Sequence, residues 1–200
     1  TTTYDEVGTA IAEVNALGHR TTAVFDAAGR RIAMLDANGG RNTYVHDARG
    51  RIVKLFDPLG RVTTFAYDAA GRQSSILDAR GVEATFQYDA ANRLTRRMST
   101  NDASVTFAYD AVGNRTEAID GTGHSTFTYD LLNGRLTAVD PAGNAITYTY
   151  DAIGNRATMT GPNGGVFTYL YGARGQIAHL VDPQGDRTTF SYDPAGRRTL

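Results

Sequence analysis

The chain has 200 residues, of which 41% are hydrophobic and 20% charged, so its composition excludes an intrinsically disordered protein. The formal net charge of -1 argues against electrostatic binding to nucleic acid or to an anionic membrane. No apolar run approaches the length of a membrane span, and the absence of cysteine excludes disulfides and thiolate metal sites.

An aromatic residue followed by Asp recurs from one end of the chain to the other. Eight of the nine intervals between these landmarks are 21 residues long, and the interval from Tyr109 to Tyr129 is 20. A fixed period of this length is the signature of a repeat architecture. In chain order, the residues we assign to the structural repeat motif are Tyr4, Asp5, Asp26, Asp47, Tyr67, Asp68, Gly71, Tyr88, Asp89, Tyr109, Asp110, Tyr129, Asp130, Tyr150, Asp151, Tyr171, Tyr192 and Asp193.

Each repeat carries two turn signals, about half a period apart. Asp57-Pro58-Leu59-Gly60 has the residue preferences of a type I turn, with a glycine that can close a hairpin in the left-handed conformation. Nineteen positions of the chain are equivalent to this glycine. Sixteen hold Gly and the others hold Asn92, Asp102 and Asn133, so we expect positive φ at all of them.

Between the turns, apolar and polar residues alternate with the period of a strand. Thr63, Phe65 and Tyr67 share one face, and the aromatic residues of the repeats therefore form columns that we expect to be a buried ladder. We expect the residue missing from the short interval to lie between Gly123 and Tyr129, in a strand, where a β-bulge would absorb the change.

These patterns predict an all-β protein made of tandem β-hairpin repeats of 21 residues. About ten repeats would form a long antiparallel curled sheet, a segment of a spiral or shell, because wide twisted sheets do not stay flat. We expect residues 1–200 to be one repeat array without a separate second domain, and a fragment of a longer protein.

The repeats resemble the YD repeat, or RHS repeat, of Rhs-like polymorphic toxins, which is related to repeats in toxin-complex cocoon subunits and in teneurins. The resemblance covers the whole chain and is carried by the segments Tyr67–Arg72, Tyr150–Arg156 and Tyr192–Arg197. It implies a hollow β shell that, in bacterial members, encloses a toxic C-terminal domain until delivery. Family cores end in an Asp-Pro-x-Gly-Leu cleavage sequence, whereas Arg61 follows Asp57–Gly60 here, so we interpret that segment as a turn.

The resemblance therefore implies a structural scaffold, secreted or at a bacterial cell surface. Its partners would be flanking repeats and an enclosed cargo or toxin domain of the same polypeptide, with no nucleic acid and no membrane span. The alternative is an extracellular carbohydrate-binding or cell-adhesion module, in which the aromatic columns stack on sugar rings.

The sequence offers no support for an enzyme. The four histidines lack the spacing of a metal site or a catalytic triad. Turn capping accounts for the periodic aspartates better than a calcium array does. We therefore expect no catalytic residues, no metal and no cofactor. The arginines that follow the turns, such as Arg30, Arg51 and Arg72, are expected to pair with turn aspartates rather than to form a binding stripe.

Overall fold

The computed structural model describes residues 1–199, which form strands and turns. Two compact units are present. The first comprises residues Thr1–Tyr88 and Arg97–Asp102, and the second comprises Asp89–Arg96 and the chain from Ala103 onward. The predicted all-β fold of tandem antiparallel hairpins is confirmed in both. Within the described part of the chain, no helix is long and apolar enough to cross a membrane.

The strands follow the alternating segments of the sequence, because Thr, Val, Ile, Tyr and Phe suit a pleated surface. The first unit contains β1 Thr2–Tyr4, β2 Ala10–Val14, β3 Arg20–Phe25, β4 Arg31–Leu35, β5 Arg41–His46, β6 Ile52–Phe56, β7 Val62–Tyr67, β8 Gln73–Leu77 and β9 Glu83–Tyr88. The strand that is divided between the units is β10 Leu94–Ser99. The second unit contains β11 Val105–Tyr109, β12 Arg115–Asp120, β13 Gly123–Tyr129, β14 Arg135–Val139, β15 Ala145–Tyr150, β16 Arg156–Thr160, β17 Val166–Tyr171, β18 Ile177–Val181, β19 Arg187–Thr189, β20 Ser191–Tyr192 and β21 Arg198–Thr199.

Most hairpins closed by the turn after a landmark residue share one irregularity, which the β20–β21 hairpin lacks. In the β7–β8 hairpin, Ala66 pairs with Ser75 and Tyr67 pairs with Gln73, so Ser74 has no partner on β7. The same register shift precedes the landmark in the β3–β4, β5–β6, β11–β12, β13–β14, β15–β16 and β17–β18 hairpins. A β-bulge is therefore a regular part of the repeat and bends each strand at the same point.

The turn assignment holds at eighteen of the nineteen predicted positions. All sixteen glycines have positive φ, as do Asn92 at 64° and Asn133 at 66°. Asp102 does not, so the prediction at that position is wrong. No turn hydrogen bond of the Asp57–Gly60 type closes the segment around Asp102 in residues 1–199, and Thr100 instead donates its backbone N–H to the Glu83 carbonyl.

The missing residue of the short repeat lies in a turn, so the prediction that it lies in a strand is wrong. Asp120 pairs directly with Gly123 and Ile119 with His124, without a register shift. Only two residues connect β12 to β13, whereas the corresponding turn at Asp57 places three residues between the paired Asp57 and Arg61. A shorter turn keeps the alternation of β13 intact, which a change within the strand would not.

Little of the chain is buried. In the described residues, only Ala12, Ala33 and Tyr148 have exposed fractions below a tenth, at 5%, 0% and 8%. The rings of the aromatic columns, such as Phe65 and Tyr67, are half-buried. The expected buried ladder is therefore wrong in degree, because the main strand-to-strand contacts among residues 1–199 are between neighbouring strands of the sheet. A sheet of this kind has an apolar face available to a partner.

Candidate functional site: an Asp–Arg–Tyr network between repeats

The turn aspartate is the first element of a contact network that recurs along the chain. Asp47 Oδ1 accepts the backbone N–H groups of Arg49 at 2.9 Å and Arg51 at 3.0 Å. The Gly50 N–H closes the turn on the Asp47 carbonyl at 3.0 Å. One carboxylate oxygen therefore satisfies two turn amides, which is why short acidic side chains suit this position.

The second carboxylate oxygen holds the arginine that follows the turn. Arg51 Nε donates to Asp47 Oδ2 at 2.8 Å, and Arg51 Nη2 lies 2.7 Å from the same oxygen. The guanidinium carbon is 4.3 Å from the centroid of the Tyr67 ring, which belongs to the next repeat. The Tyr67 hydroxyl donates to the Ile52 carbonyl at 2.8 Å. Turn, arginine and next landmark are thus joined into one network that links two successive hairpins.

The same connections recur at other repeats. Arg72 and Arg93 bind Asp68 and Asp89 and lie over Tyr88 and Tyr109, at 4.8 and 4.9 Å from the ring centroids. Tyrosine hydroxyls donate to a backbone carbonyl of the preceding repeat in seven cases: Tyr67 to Ile52, Tyr88 to Gln73, Tyr109 to Leu94, Tyr129 to Arg115, Tyr150 to Arg135, Tyr171 to Arg156 and Tyr192 to Ile177.

Three landmark turns of the second unit keep the aspartate but replace the arginine that follows the turn, and the turn that begins at Gly172 has Gln176 at this position. The position four residues after the aspartate holds Asn114, Gly134 or Asn155. Asn114 Nδ2 donates to Asp110 Oδ2 at 2.9 Å and to Asn133 Oδ1 at 2.8 Å. The amide therefore keeps the hydrogen bond to the turn carboxylate but supplies no positive charge.

In these repeats the arginine stands one residue later, at Arg115, Arg135 and Arg156. Arg115 pairs across the strands with Tyr109, and cross-strand partners share a face of the sheet. Its guanidinium lies 5.4 Å from the Phe107 centroid and 5.2 Å from the Phe127 centroid. The shift by one residue thus moves the cation from the turn carboxylate to the neighbouring aromatic column.

The network lowers the pKa of several turn carboxyls. A side-chain hydrogen bond from Arg30 holds the pKa of Asp26 below its ordinary value, and the Arg51 backbone N–H followed by its guanidinium does the same for the pKa of Asp47. The Asn144 amide lowers the pKa of Asp140 in the same way. Donors to the ionised form cause these shifts, and structural capping is sufficient to explain them.

The predicted repeat-motif aspartates lie in the turns and the tyrosines lie at the ends of the strands before them. The first repeat differs from the others in the exposure of its tyrosine. Tyr4 is 60% exposed, while Asp5 still accepts the Val7 and Thr9 amides. Gly71 has φ of 85°. The expected pairing of Arg30, Arg51 and Arg72 with turn aspartates is confirmed, and each aspartate stands four residues before its arginine.

Sequence reasoning missed the inter-repeat part of the network. The fixed spacing between each arginine and the landmark tyrosine of the next repeat was the signal that could have revealed it. In residues 1–199, no group of three or more His, Asp or Glu side chains is arranged to hold a metal ion. The periodic side chains that could do chemistry are engaged in holding turns closed and hairpins together.

The fold and the network define a tandem β-hairpin repeat protein whose units are joined through turn aspartates and landmark tyrosines. The family model described as Teneurin YD-shell matches residues 11–198. The chain therefore belongs to the Teneurin YD-shell family. No curated protein matches the sequence.

Solved structures share the fold at low sequence identity. The Tc holotoxin pore of Photorhabdus luminescens matches 91% of this chain with 17% identity and a TM-score of 0.62. The crystal structure of TcdB2-TccC3-TEV matches 99% with 16% identity and a TM-score of 0.56, and that of TcdB2-TccC3 without its hypervariable C-terminal region matches 99% with 15% identity and a TM-score of 0.57. The match covers 13%, 15% and 16% of these solved chains, respectively.

Proposed function

We propose that this chain is a non-catalytic segment of a YD-type β shell that encloses and carries a C-terminal toxin or effector domain of the same polypeptide. The action is mechanical: the sheet surrounds the cargo and keeps it from its targets until delivery. The parent protein is a secreted or surface-delivered bacterial protein. The repeat-motif Asp, Gly and Tyr residues stabilise the wall of the shell and do not take part in a reaction.

The observation that carries this proposal is a sheet with almost no core of its own. Its few buried residues are small or aromatic, and most residues of the aromatic columns remain partly exposed. Isolated sheets need packing on an apolar face to be stable. An enclosed domain and further windings of the same ribbon would supply that packing. Membership in the YD-shell family and the fold shared with TcdB2-TccC3 chains support the same role.

Glycan binding through the aromatic columns is the weaker candidate. A sugar that stacks on tyrosine needs a free ring face and benefits from a free hydroxyl. Arg51 covers the Tyr67 ring, and the Tyr67 hydroxyl is already bound to the Ile52 carbonyl. The same engagement at Tyr88 and Tyr109 leaves these rings occupied by contacts within the protein.

The test uses the complete parent polypeptide, identified by extending the reading frame on both sides of this segment. We expect further repeats and an unrelated C-terminal domain. In the native protein, that domain should resist a protease that digests it within minutes when it is expressed alone. A matched variant with Gly71→Val in the shell should expose the domain. A C-terminal domain cleaved equally fast with and without the shell would contradict the proposal.

A glycan array with the 200-residue chain separates the two candidates. The shell proposal predicts no saturable binding. Saturable binding that is lost in Tyr4→Ala, whose side chain is 60% exposed, but retained in Leu59→Ala at an exposed turn tip, would instead support the adhesion module.

A further inference from the structure

Three successive landmark turns of the second unit carry large apolar residues at their tips. Val112 is 75% exposed, Leu131 102%, Leu132 78% and Ile153 83%. We call these four residues the apolar turn strip. The equivalent positions of the neighbouring landmark turns are small or charged, namely Ala90-Ala91 before the strip and Ala173-Arg174 after it. The strip is therefore bounded at both ends along this edge.

In the same three turns, the arginine four residues after the aspartate is replaced, as it also is by Thr9 after Asp5 and by Gln176 in the turn that begins at Gly172. Asn114 and Gly134 are shorter and leave grooves between successive turns. One groove, of about 520 Å³, is lined by Val112, Phe127 and Leu131 together with the carboxylates of its two turns, and a second, of about 300 Å³, is lined in the same way by Leu132, Leu136 and Tyr148. Apolar tips thus alternate with grooves of mixed lining along one edge.

We propose that the apolar turn strip is an interface through which two copies of this chain associate. Successive turns of the edge are two strands apart, roughly 10 Å. The Asp130–Asn133 turn lies in the middle, with Val112 on one side and Ile153 on the other. A twofold axis through the middle turn therefore brings Leu131 against Leu131 of the second copy and Val112 against its Ile153. This is the self-complementary pattern that an isologous interface requires.

The size of the strip fits a weak dimer. Four side chains of this size and exposure present on the order of 500 Å² of apolar surface, the size of patch that on monomers is often functional. Two copies joined through it bury about 1,000 Å² in total, which is the lower limit of a specific interface. We expect association in the micromolar range. Salt should strengthen it slightly, since the Asp110 carboxylate of one copy approaches Asp151 of the other and salt screens their repulsion.

The absence of cysteine in this chain allows a direct test by disulfide trapping. We expect Leu131→Cys to form a covalent dimer under mild oxidation, and Val112→Cys to do so only when mixed with Ile153→Cys, because only these pairs meet across the axis. Leu59→Cys, at an exposed turn tip of the first unit, is the matched control and should remain a monomer. Equal trapping of Leu59→Cys and Leu131→Cys would overturn the proposal.

Sedimentation velocity from roughly 1 to 200 µM gives an independent measurement of association in the affinity range expected. The unmodified chain should shift from monomer to dimer, and Leu131→Ser with Leu132→Ser should remain monomeric at every concentration. The equivalent exposed control, Leu59→Ser, should behave like the unmodified chain. A monomer throughout for the unmodified chain would also overturn the proposal, and neither outcome bears on whether a shell encloses a cargo domain.

Discussion

The repeats that begin at Asp47, Asp68 and Asp89 and those that begin at Asp110, Asp130 and Asp151 have the same backbone but use their arginines differently. In the first set, the arginine neutralises the turn carboxylate and covers the tyrosine of the next repeat. In the second set, the arginine stands one residue later and lies over the other aromatic column. Both sets keep the tyrosine hydroxyl bond to the preceding repeat.

The comparison separates what the repeat requires from what it tolerates. The turn carboxylate, the residue with positive φ and the tyrosine hydroxyl bond are common to both sets. The position of the guanidinium differs between the sets. In the second set, where the arginine stands one residue later, the turn tips carry valine, leucine and isoleucine in place of the alanine and arginine of the first set. We infer that the first set is specialised for contacts between successive hairpins of the sheet and the second for contacts with another molecule.

Acid should have the largest effect because it acts on turns of both sets at once. In the folded chain, the pKa values of Asp47 in the first set and of Asp110 and Asp151 in the second lie below the ordinary 3.8, because hydrogen-bond donors outweigh the opposing effect of burial. Their contribution to stability is therefore complete above about pH 4 and is lost as the pH falls through the lower folded-state values. Urea denaturation between pH 7 and pH 2 should show a midpoint that is constant near neutrality and falls only below about pH 4. A fall that begins near pH 6 would point to histidine instead.

A β-branched residue at a positive-φ position should have the next largest effect. Gly71→Val places a branched side chain at φ of 85° and should lower the free energy of unfolding by about 1–3 kcal/mol. The matched control is Ala70→Val, one residue earlier in the same exposed turn, which should change stability little. Equal effects of the two substitutions would show that the backbone conformation at Gly71 is not what matters.

The turns were accessible to sequence reasoning because Gly and Asn are strongly selected at positive φ, as Asn133 shows. The site of the residue that the short repeat lacks could not be deduced from the sequence. Gly123 occupies the place of a turn glycine when the sequence is aligned, yet the register pairs it with Asp120. A glycine satisfies either alignment, and only the hydrogen bonds distinguish them.

The hydrogen bonds of the tyrosine hydroxyls also could not be predicted from the sequence. The columns of tyrosines were evident, but the carbonyl that each one reaches depends on how adjacent hairpins stack, as Tyr67 and Ile52 show. Likewise, the half-buried state of the rings depends on whether a second layer is present, which periodicity does not reveal.

Removal of a tyrosine hydroxyl should have a moderate effect that is equal in the two sets. Tyr67→Phe and Tyr150→Phe each remove one hydrogen bond, to the Ile52 and Arg135 carbonyls, and should each cost about 1 kcal/mol. Denaturant midpoints of the two variants measure this. A loss confined to Tyr67→Phe would mean that the hydroxyl bond is not common to the two sets.

Replacement of the arginine by asparagine should have the smallest effect. Arg51→Asn imitates the second set: the amide can still bind Asp47, as Asn114 binds Asp110, but the contact with the Tyr67 ring is lost. The expected cost is about 0.5–1 kcal/mol. Arg49→Asn, at the exposed tip of the same turn, is the control and should leave the midpoint unchanged.

The most direct test of the inter-repeat network is a double-mutant cycle between Arg51 and Tyr67, measured as free energies of unfolding for Arg51→Asn, Tyr67→Leu and the double variant. A parallel cycle uses Asn114→Ala and Tyr129→Leu in the second set. The network predicts a coupling of about 0.5–1 kcal/mol between Arg51 and Tyr67 and none between Asn114 and Tyr129. Strictly additive effects in the first cycle would contradict the claim that the arginine joins one hairpin to the next.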